Sequence, residues 1–125
     1  MKNYLMFSVA GLMLLLFVSC FHHGNDLSIT ISDNDEDFEM DAFYHKKKTR
    51  AVRVYLNDQL FNKKTGRYKK NIDGEVMILD DHTKLYLNEY PGSLHIKMDK
   101  GENSPEAYQK IKRACEEIKE IMLEN

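Results

Sequence analysis

The chain has 125 residues, of which 18 are lysine or arginine and 20 are aspartate or glutamate, so its formal net charge is −2. This length is enough for one domain that buries a core of its own, and the small net charge gives no sign of a nucleic-acid partner. The two cysteines, Cys20 and Cys115, cannot build the framework of several disulfides that stabilises many small secreted domains, so stability must come from packing.

The N-terminal residues have the pattern of an export signal. Lys2 gives a positive start, residues 5–18 form an apolar run broken only by small residues, and Ser19 and Cys20 follow. These are the n-region, the h-region and the small-residue cleavage site of a signal peptide. Two alternatives stay open, a secretory signal with an incidental cysteine and a retained single-pass anchor. The second needs about 20 apolar residues, and two histidines end the run sooner.

Phe17-Val18-Ser19-Cys20 resembles the lipobox of bacterial lipoprotein precursors, with Phe17 where the family prefers leucine. The resemblance implies that residues 1–19 are removed, that the Cys20 thiol is acylated, and that fatty acids hold the mature chain in the cell envelope. An aspartate after the cysteine marks inner-membrane retention in the family. Phe21 stands there, which implies the outer membrane, with the domain facing the periplasm. Beyond the lipobox, the chain is similar to small envelope lipoproteins, specifically in its signal and only loosely in its folded domain. This likeness transfers no ligand and no active site.

Residues 20–26 are then the lipidated cysteine and a short tether, and residues 27–125 form the folded domain. The tether residues 21–26 reach roughly 20 Å when extended. The domain is therefore expected to sit close to the bilayer or against a membrane-bound neighbour.

Two alternating segments open the domain. Leu27, Ile29 and Ile31 alternate with polar residues and predict a half-buried strand. Residues 33–35 have turn chemistry, and apolar residues at alternate positions in 38–44 predict a second strand. The pair is expected to form an antiparallel hairpin.

Residues 48–61 switch to helical spacing. One apolar stripe is formed by Val52, Tyr55, Leu56 and Leu60, and Thr49 is the expected cap. Residues 62–73 are polar and basic and predict a loop. This loop is long for a compact domain, which is typical of mobile or functional segments.

Three strands and a helix complete the pattern. Residues 75–80 are apolar on both sides and predict a central strand, followed by strands at 84–89 and 94–98. Ser104-Pro105-Glu106 predicts the start of the last helix, whose apolar stripe is Tyr108, Ile111, Cys115, Ile118 and Met122. The order ββαβββα indicates an α+β fold with a five-stranded, mostly antiparallel sheet and two helices on one face.

The best candidate for a ligand site is the basic part of the 62–73 loop. Six of its side chains are expected to bind anionic lipid headgroups or an envelope glycan: Lys63, Lys64, Arg67, Tyr68, Lys69 and Lys70. Each cation near an anionic membrane surface contributes about 1 kcal/mol. In the alternative interpretation, the basic block of residues 46–70 and the acidic block of residues 26–41 are two solvated faces that partly neutralise each other.

Metal sites are not supported by the spacing of acidic residues or histidines. Asp33, Asp35 and Asp37 are spaced like the start of a calcium loop, but Phe38 and Tyr44 occupy the places that require glycine and glutamate. A solvated acidic turn is expected there instead. The adjacent histidines at 22 and 23 lack the further ligands of a closed site.

Catalytic arrangements are also missing. Cys115 lies on a buried helical stripe and is expected to be a core residue rather than a nucleophile. Asp80-Asp81 is expected to form a hairpin turn. An enzyme would need a cleft in which Asp80, His82 and His95 converge.

The sequence therefore predicts a non-catalytic, membrane-anchored lipoprotein domain that binds a partner protein in the cell envelope, with no cofactor, no metal and no nucleic acid. The alternative is a binding module for anionic headgroups or a glycan, acting through residues 62–73.

Overall fold

The computed structural model describes the backbone of residues 18–22 and the whole of residues 27–61 and 71–124. Two short 3₁₀ turns, Lys46–Lys48 and Lys100–Glu102, precede the two helices. The strands are β1 (Val18–His22), β2 (Ser28–Asp33), β3 (Asp37–Phe43), β4 (Ile72–Ile78), β5 (Lys84–Tyr90) and β6 (Ser93–Asp99), and the helices are α1 (Thr49–Gln59) and α2 (Pro105–Leu123).

The predicted α+β fold is confirmed. From β2 onward the elements follow the order ββαβββα, and these five strands form an antiparallel sheet. The complete strand order is β1-β2-β3-β6-β5-β4. The connection through α1 carries the chain from β3 to β4 at the far edge, and β5 and β6 then return until β6 pairs with β3.

A strand precedes the first one that the sequence predicted. β1 pairs antiparallel with β2, and Cys20 lies opposite Thr30. Without β1, the outer side of β2 would present a row of unpaired backbone groups. A short extended segment can pair with such an edge whatever its apolar pattern, which is why alternation in the sequence gave no sign of it.

The prediction that residues 75–80 form a central strand is wrong. β4 runs from Ile72 to Ile78 and lies at the edge of the sheet. Ile72, which was predicted to lie in a loop, is buried, whereas Val76 and Ile78 are 62% and 69% exposed. A run of apolar residues suits a strand that is covered on both faces, but the pattern cannot say whether a second layer exists to cover it.

Both helices pack on one face of the sheet and form a single core with it. Alternate strand residues point into this core and are completely buried, as are residues on the inner stripes of both helices: Ile29, Met40, Leu87, Ile96, Val52, Leu56, Ile111, Cys115 and Ile118. The predicted position of Cys115 in the core is confirmed, and burial raises the pKa of its thiol well above the usual range.

The starts of the two helices differ in how well the sequence predicted them. In α2 the Ser104 hydroxyl accepts a hydrogen bond from the backbone N–H of Ala107 at 3.1 Å, and Pro105 begins the helix as expected. Thr49 does not cap α1. Its hydroxyl instead accepts a hydrogen bond from the backbone N–H of Gly92 at 3.0 Å. The start of α1 is thereby tied to the β5–β6 turn.

A buried ion pair joins α1 to β5. Glu89 shares the core face of β5 with Leu85 and Leu87, and its side chain is 0% exposed. Arg53 Nε lies 3.0 Å from both carboxylate oxygens of Glu89. Arg53 also donates to the Asn71 side chain at 3.0 Å. The same guanidinium therefore holds the start of the segment that leads into β4.

A second polar cluster ties the end of β2 to the start of α2. Asp33 accepts hydrogen bonds from Lys100 Nζ at 2.7 Å and from the Tyr108 hydroxyl at 2.5 Å. Lys100 Nζ also lies 4.2 Å from the centre of the Tyr108 ring. Burial by itself would raise the pKa of Asp33, but these two hydrogen bonds and the nearby lysine charges outweigh it, so the pKa is lowered. The predicted solvated turn therefore has one member, Asp33, that is mostly enclosed.

Replacing Asp33 with alanine is expected to lower the free energy of unfolding by about 2 kcal/mol at pH 7, because hydrogen bonds to a charged group are lost. The carboxylate stabilises the folded state above its unfolded pKa, which lies near 3.8. This contribution is lost as the pH falls through the lower folded value. Urea unfolding of Asp33→Ala and of native protein should therefore differ most near neutral pH and converge in acid. Asp35→Ala, at an exposed position, is the control, and an equal loss in both variants would contradict the assignment.

Candidate functional site

The helices leave the second side of the sheet uncovered in the described part of the chain. We call this side the open face. The strand register places Glu39, Lys97, Tyr86 and Val76 next to one another across β3, β6, β5 and β4. Each of these alternates along its strand with residues that point into the core. The open face is thus a direct product of the period-two pattern that builds the core.

Aliphatic side chains are concentrated where the open face reaches β4. Val76 and Ile78 lie two residues apart on the same side of this strand, and both are more than half exposed. Val76 borders a shallow depression of about 220 Å³ that also involves Tyr86, Lys97 and Glu102. Among the described residues, the other large exposed apolar side chain on this face is Phe43, at the end of β3.

The middle of the open face is polar and has an ordered arrangement. His95 Nε2 lies 2.5 Å from Glu39 Oε2 in a cross-strand hydrogen-bonded pair. The His95 ring also packs edge-on against the Tyr86 ring, with 5.5 Å between the ring centres. These contacts hold three side chains from β3, β6 and β5 in fixed positions beside the aliphatic pair.

A glycine bulge shapes the boundary between β4 and β5. The register shifts between Ile72 and Glu75, and Gly74 has a φ of +59°. A Cβ at Gly74 would come within 2.9 Å of the Tyr86 hydroxyl oxygen. Gly74 also donates its backbone N–H to the Asn88 side chain at 3.1 Å. The bulge thereby lets Tyr86 lie along the open face rather than stand out from it.

Acidic side chains outnumber basic ones around this surface. Four carboxylates on this face belong to β3 and β6, at Asp37, Glu39, Asp41 and Asp99, whereas two lysines, Lys84 and Lys97, belong to β5 and β6. Asp37 on β3 and Asp99 on β6 lie directly opposite each other in the strand register. The electrostatic character of the open face is therefore negative, with an apolar margin along β4.

The site residues predicted from the sequence fall into three groups. Lys63, Lys64, Arg67, Tyr68, Lys69 and Lys70 lie outside the described residues, so the basic-loop hypothesis stays a prediction. Cys20 is placed by its backbone in β1. Asp80 and His82 lie at the β4–β5 turn, whereas His95 pairs with Asn88 in the interior of the β5–β6 ladder. The described structure does not bring these three residues into one cleft.

Clusters of metal-ligating side chains and membrane-spanning helices are two further kinds of feature. Across residues 27–61 and 71–124, no three histidine, cysteine, aspartate or glutamate side chains are grouped so that they could hold a metal ion. None of the helices in the described part of the chain is both long and apolar enough to cross a bilayer.

The arrangement of Glu39, Tyr86 and His95 was not predicted from the sequence. The alternation in β5 and β6 is visible in the sequence, and it puts Tyr86 and His95 on the side away from the core. The strand register, which brings together residues 39 and 95 although they are 56 positions apart in the chain, could not be predicted from the sequence. Comparisons with protein-family models, with curated proteins and with solved structures gave no match.

Proposed function

We propose that the mature chain is a non-catalytic lipoprotein of the bacterial cell envelope that binds a partner protein on the open face of its sheet. In this proposal acyl chains on Cys20 hold it in the outer membrane and the domain faces the periplasm. The support for the anchor is the apolar run followed by Phe17-Val18-Ser19-Cys20. Two or three acyl chains make such attachment stable, since one chain alone binds weakly.

The exposure of Val76 and Ile78 is the observation that carries the partner-binding part of the proposal. Large aliphatic side chains that lie together in solvent, rimmed by polar groups, are typical of protein interaction sites. Here the rim is provided by Tyr86, Lys97 and Glu102 around the shallow depression. An apolar centre with a polar rim is the usual composition of a protein interface.

The shape of the surface favours a protein over a small molecule. Small-molecule sites enclose most of their ligand in about 300–1,000 Å³, whereas the depression beside Val76 has about 220 Å³ and is partly open to solvent. The ordered Glu39–His95–Tyr86 group next to it supplies hydrogen-bonding partners in fixed positions. A broad, partly apolar and mostly acidic surface fits a partner with complementary basic residues.

Photocrosslinking in intact cells tests this function. A photoreactive amino acid is placed at position 76 on the open face and, as the control, at position 54 on α1, where Val54 is 50% exposed. We expect a discrete crosslinked protein from position 76 and none from position 54, analysed by mass spectrometry of the adducts. Absence of any adduct at 76, or the same adducts at both positions, would refute binding at the open face.

A further inference from the structure

Among the described residues, one edge of the sheet is covered by a further strand and the other is not. β1 covers the outer side of β2, and after cleavage before Cys20 its residues 20–22 would still pair with residues 28–30. β4 pairs with β5 alone among the described residues. An edge strand offers a row of backbone N–H and C=O groups to an additional strand. The two ends of this sheet are therefore not equivalent, and β4 is the end at which the sheet can be extended.

The protection of β4 against strand pairing is incomplete. Proteins usually protect such edges with charges, prolines or bulges. β4 has its bulge at Gly74 and acidic residues at Asp73 and Glu75. Its last three residues, Val76-Met77-Ile78, carry no charge. These three residues form a short apolar segment of strand edge that no bulge interrupts.

Charge identifies the kind of strand that fits there. Residues 72–83 contain four acidic residues and no lysine or arginine: Asp73, Glu75, Asp80 and Asp81. A second copy of β4 is disfavoured, because it would bring two acidic segments together with no lysine or arginine in either. In the antiparallel register that places Val76 opposite Met77, for example, Asp73 of one copy would also be opposite Asp80 of the other. Like charges directly opposite each other destabilise strand pairing. A segment with basic residues on both sides of an apolar pair meets no such repulsion.

We propose that β4 accepts an extended segment of the partner protein in which apolar and basic residues alternate, so that the partner adds a seventh strand to the sheet. This inference rests on the proposed partner-binding function and specifies how the partner binds. The added strand would lie about 4.8 Å from β4, with its apolar side chains beside Val76 and Ile78. Backbone hydrogen bonds supply affinity in strand addition, and alternate side chains supply specificity.

A synthetic peptide tests strand addition independently of the natural partner. The probe is a terminally blocked eight-residue peptide of alternating lysine and isoleucine, added to the full mature chain in detergent micelles. Amide hydrogen exchange followed by mass spectrometry is expected to show new protection in residues 75–78. The control peptide has glutamate in place of each lysine and should give no protection. Protection outside β4 only, or equal protection by both peptides, would overturn the proposal.

A matched pair of variants tests the site. Ile78→Lys adds a charge to the apolar segment and should weaken peptide binding by at least about tenfold, because an edge lysine is a natural block to strand pairing. Val54→Lys changes another exposed aliphatic residue, on α1, and should leave the affinity unchanged. Equal effects of the two substitutions would count against β4 as the site. Both positions are exposed, so both variants are expected to fold.

The outcomes separate this inference from the proposed function. Crosslinks from position 76 without peptide-induced protection of β4 would support partner binding at the open face and would reject strand addition. Peptide-induced protection of β4 without crosslinks from position 76 would support the edge as a strand acceptor and reject the cellular function.

Discussion

Arg53→Leu is expected to lower the free energy of unfolding by about 3–5 kcal/mol at pH 7, because it leaves a charged carboxylate buried without its partner. The Glu89 side chain is 0% exposed, and Arg53 Nε lies 3.0 Å from both of its oxygens. Burial raises the pKa of Glu89, although the hydrogen bond and charge of Arg53 oppose this shift. Denaturant unfolding followed by circular dichroism measures the loss.

Two further variants decide whether the effect comes from the pair. Arg53→Leu combined with Glu89→Leu should recover most of the lost stability, since apolar residues can replace a buried ion pair at little cost. Arg50→Leu removes an exposed arginine from the same helix and should change stability by about 0.5 kcal/mol or less. A double variant less stable than Arg53→Leu would contradict this explanation.

The pH dependence of Arg53→Leu follows from the same carboxylate. A carboxyl group whose folded pKa is raised destabilises the fold above that pKa, and the penalty disappears as the group is protonated. The deficit of Arg53→Leu relative to the native protein should therefore shrink as the pH falls through the folded pKa of Glu89 in the variant. A deficit that grows in acid would show that loss of helix packing, rather than the buried charge, is responsible.

Cys20→Ser is expected to move the protein from the membrane fraction to the aqueous fraction of the cell. Each buried acyl CH₂ contributes about 0.8 kcal/mol to membrane binding, so losing two or three chains removes nearly all of the attachment. Fractionation after cell lysis measures the distribution, and mass spectrometry of the native N-terminus should show a lipidated cysteine. The expected result is a change from almost wholly membrane-bound to almost wholly released.

The second cysteine provides the control for this experiment. Cys115 is completely buried in α2, so Cys115→Ala should leave the protein in the membrane fraction. A native chain with an unmodified Cys20 thiol and an intact leader would refute the anchor. Retention of Cys20→Ser in the membrane fraction would show that attachment does not depend on acylation.

Much of the fold could be predicted because local patterns and tertiary contacts agree. The alternation in β2 and β3, the helical stripe of α2 and the Ser104 cap were all recognisable in the sequence, and the structure uses each of them. The position of β4 could not be predicted in this way. Apolar residues show that burial would be favourable, but only the chain path decides whether a neighbouring layer is present.

The candidate site was less predictable than the fold because it depends on strand register. Glu39 and His95 meet only because β3 and β6 pair in the middle of the sheet. Burial of Glu89 did have a sequence signal, since Glu89 continues the every-second-residue pattern of Leu85 and Leu87 on one face of β5. Read with that period, it is a core residue, and a buried carboxylate requires a partner. The identity of that partner, Arg53, 36 residues away, required the tertiary structure.

The pairing of β1 with β2 determines how an acylated chain would stand on a membrane. Because Cys20 is opposite Thr30 in the ladder, its backbone lies about one strand spacing of 4.8 Å from β2, whereas a free tether of residues 21–26 would reach roughly 20 Å. In an acylated chain, β1 would then be the strand nearest the membrane. β4 lies five strand spacings away, roughly 24 Å from β1, at the opposite edge of the sheet.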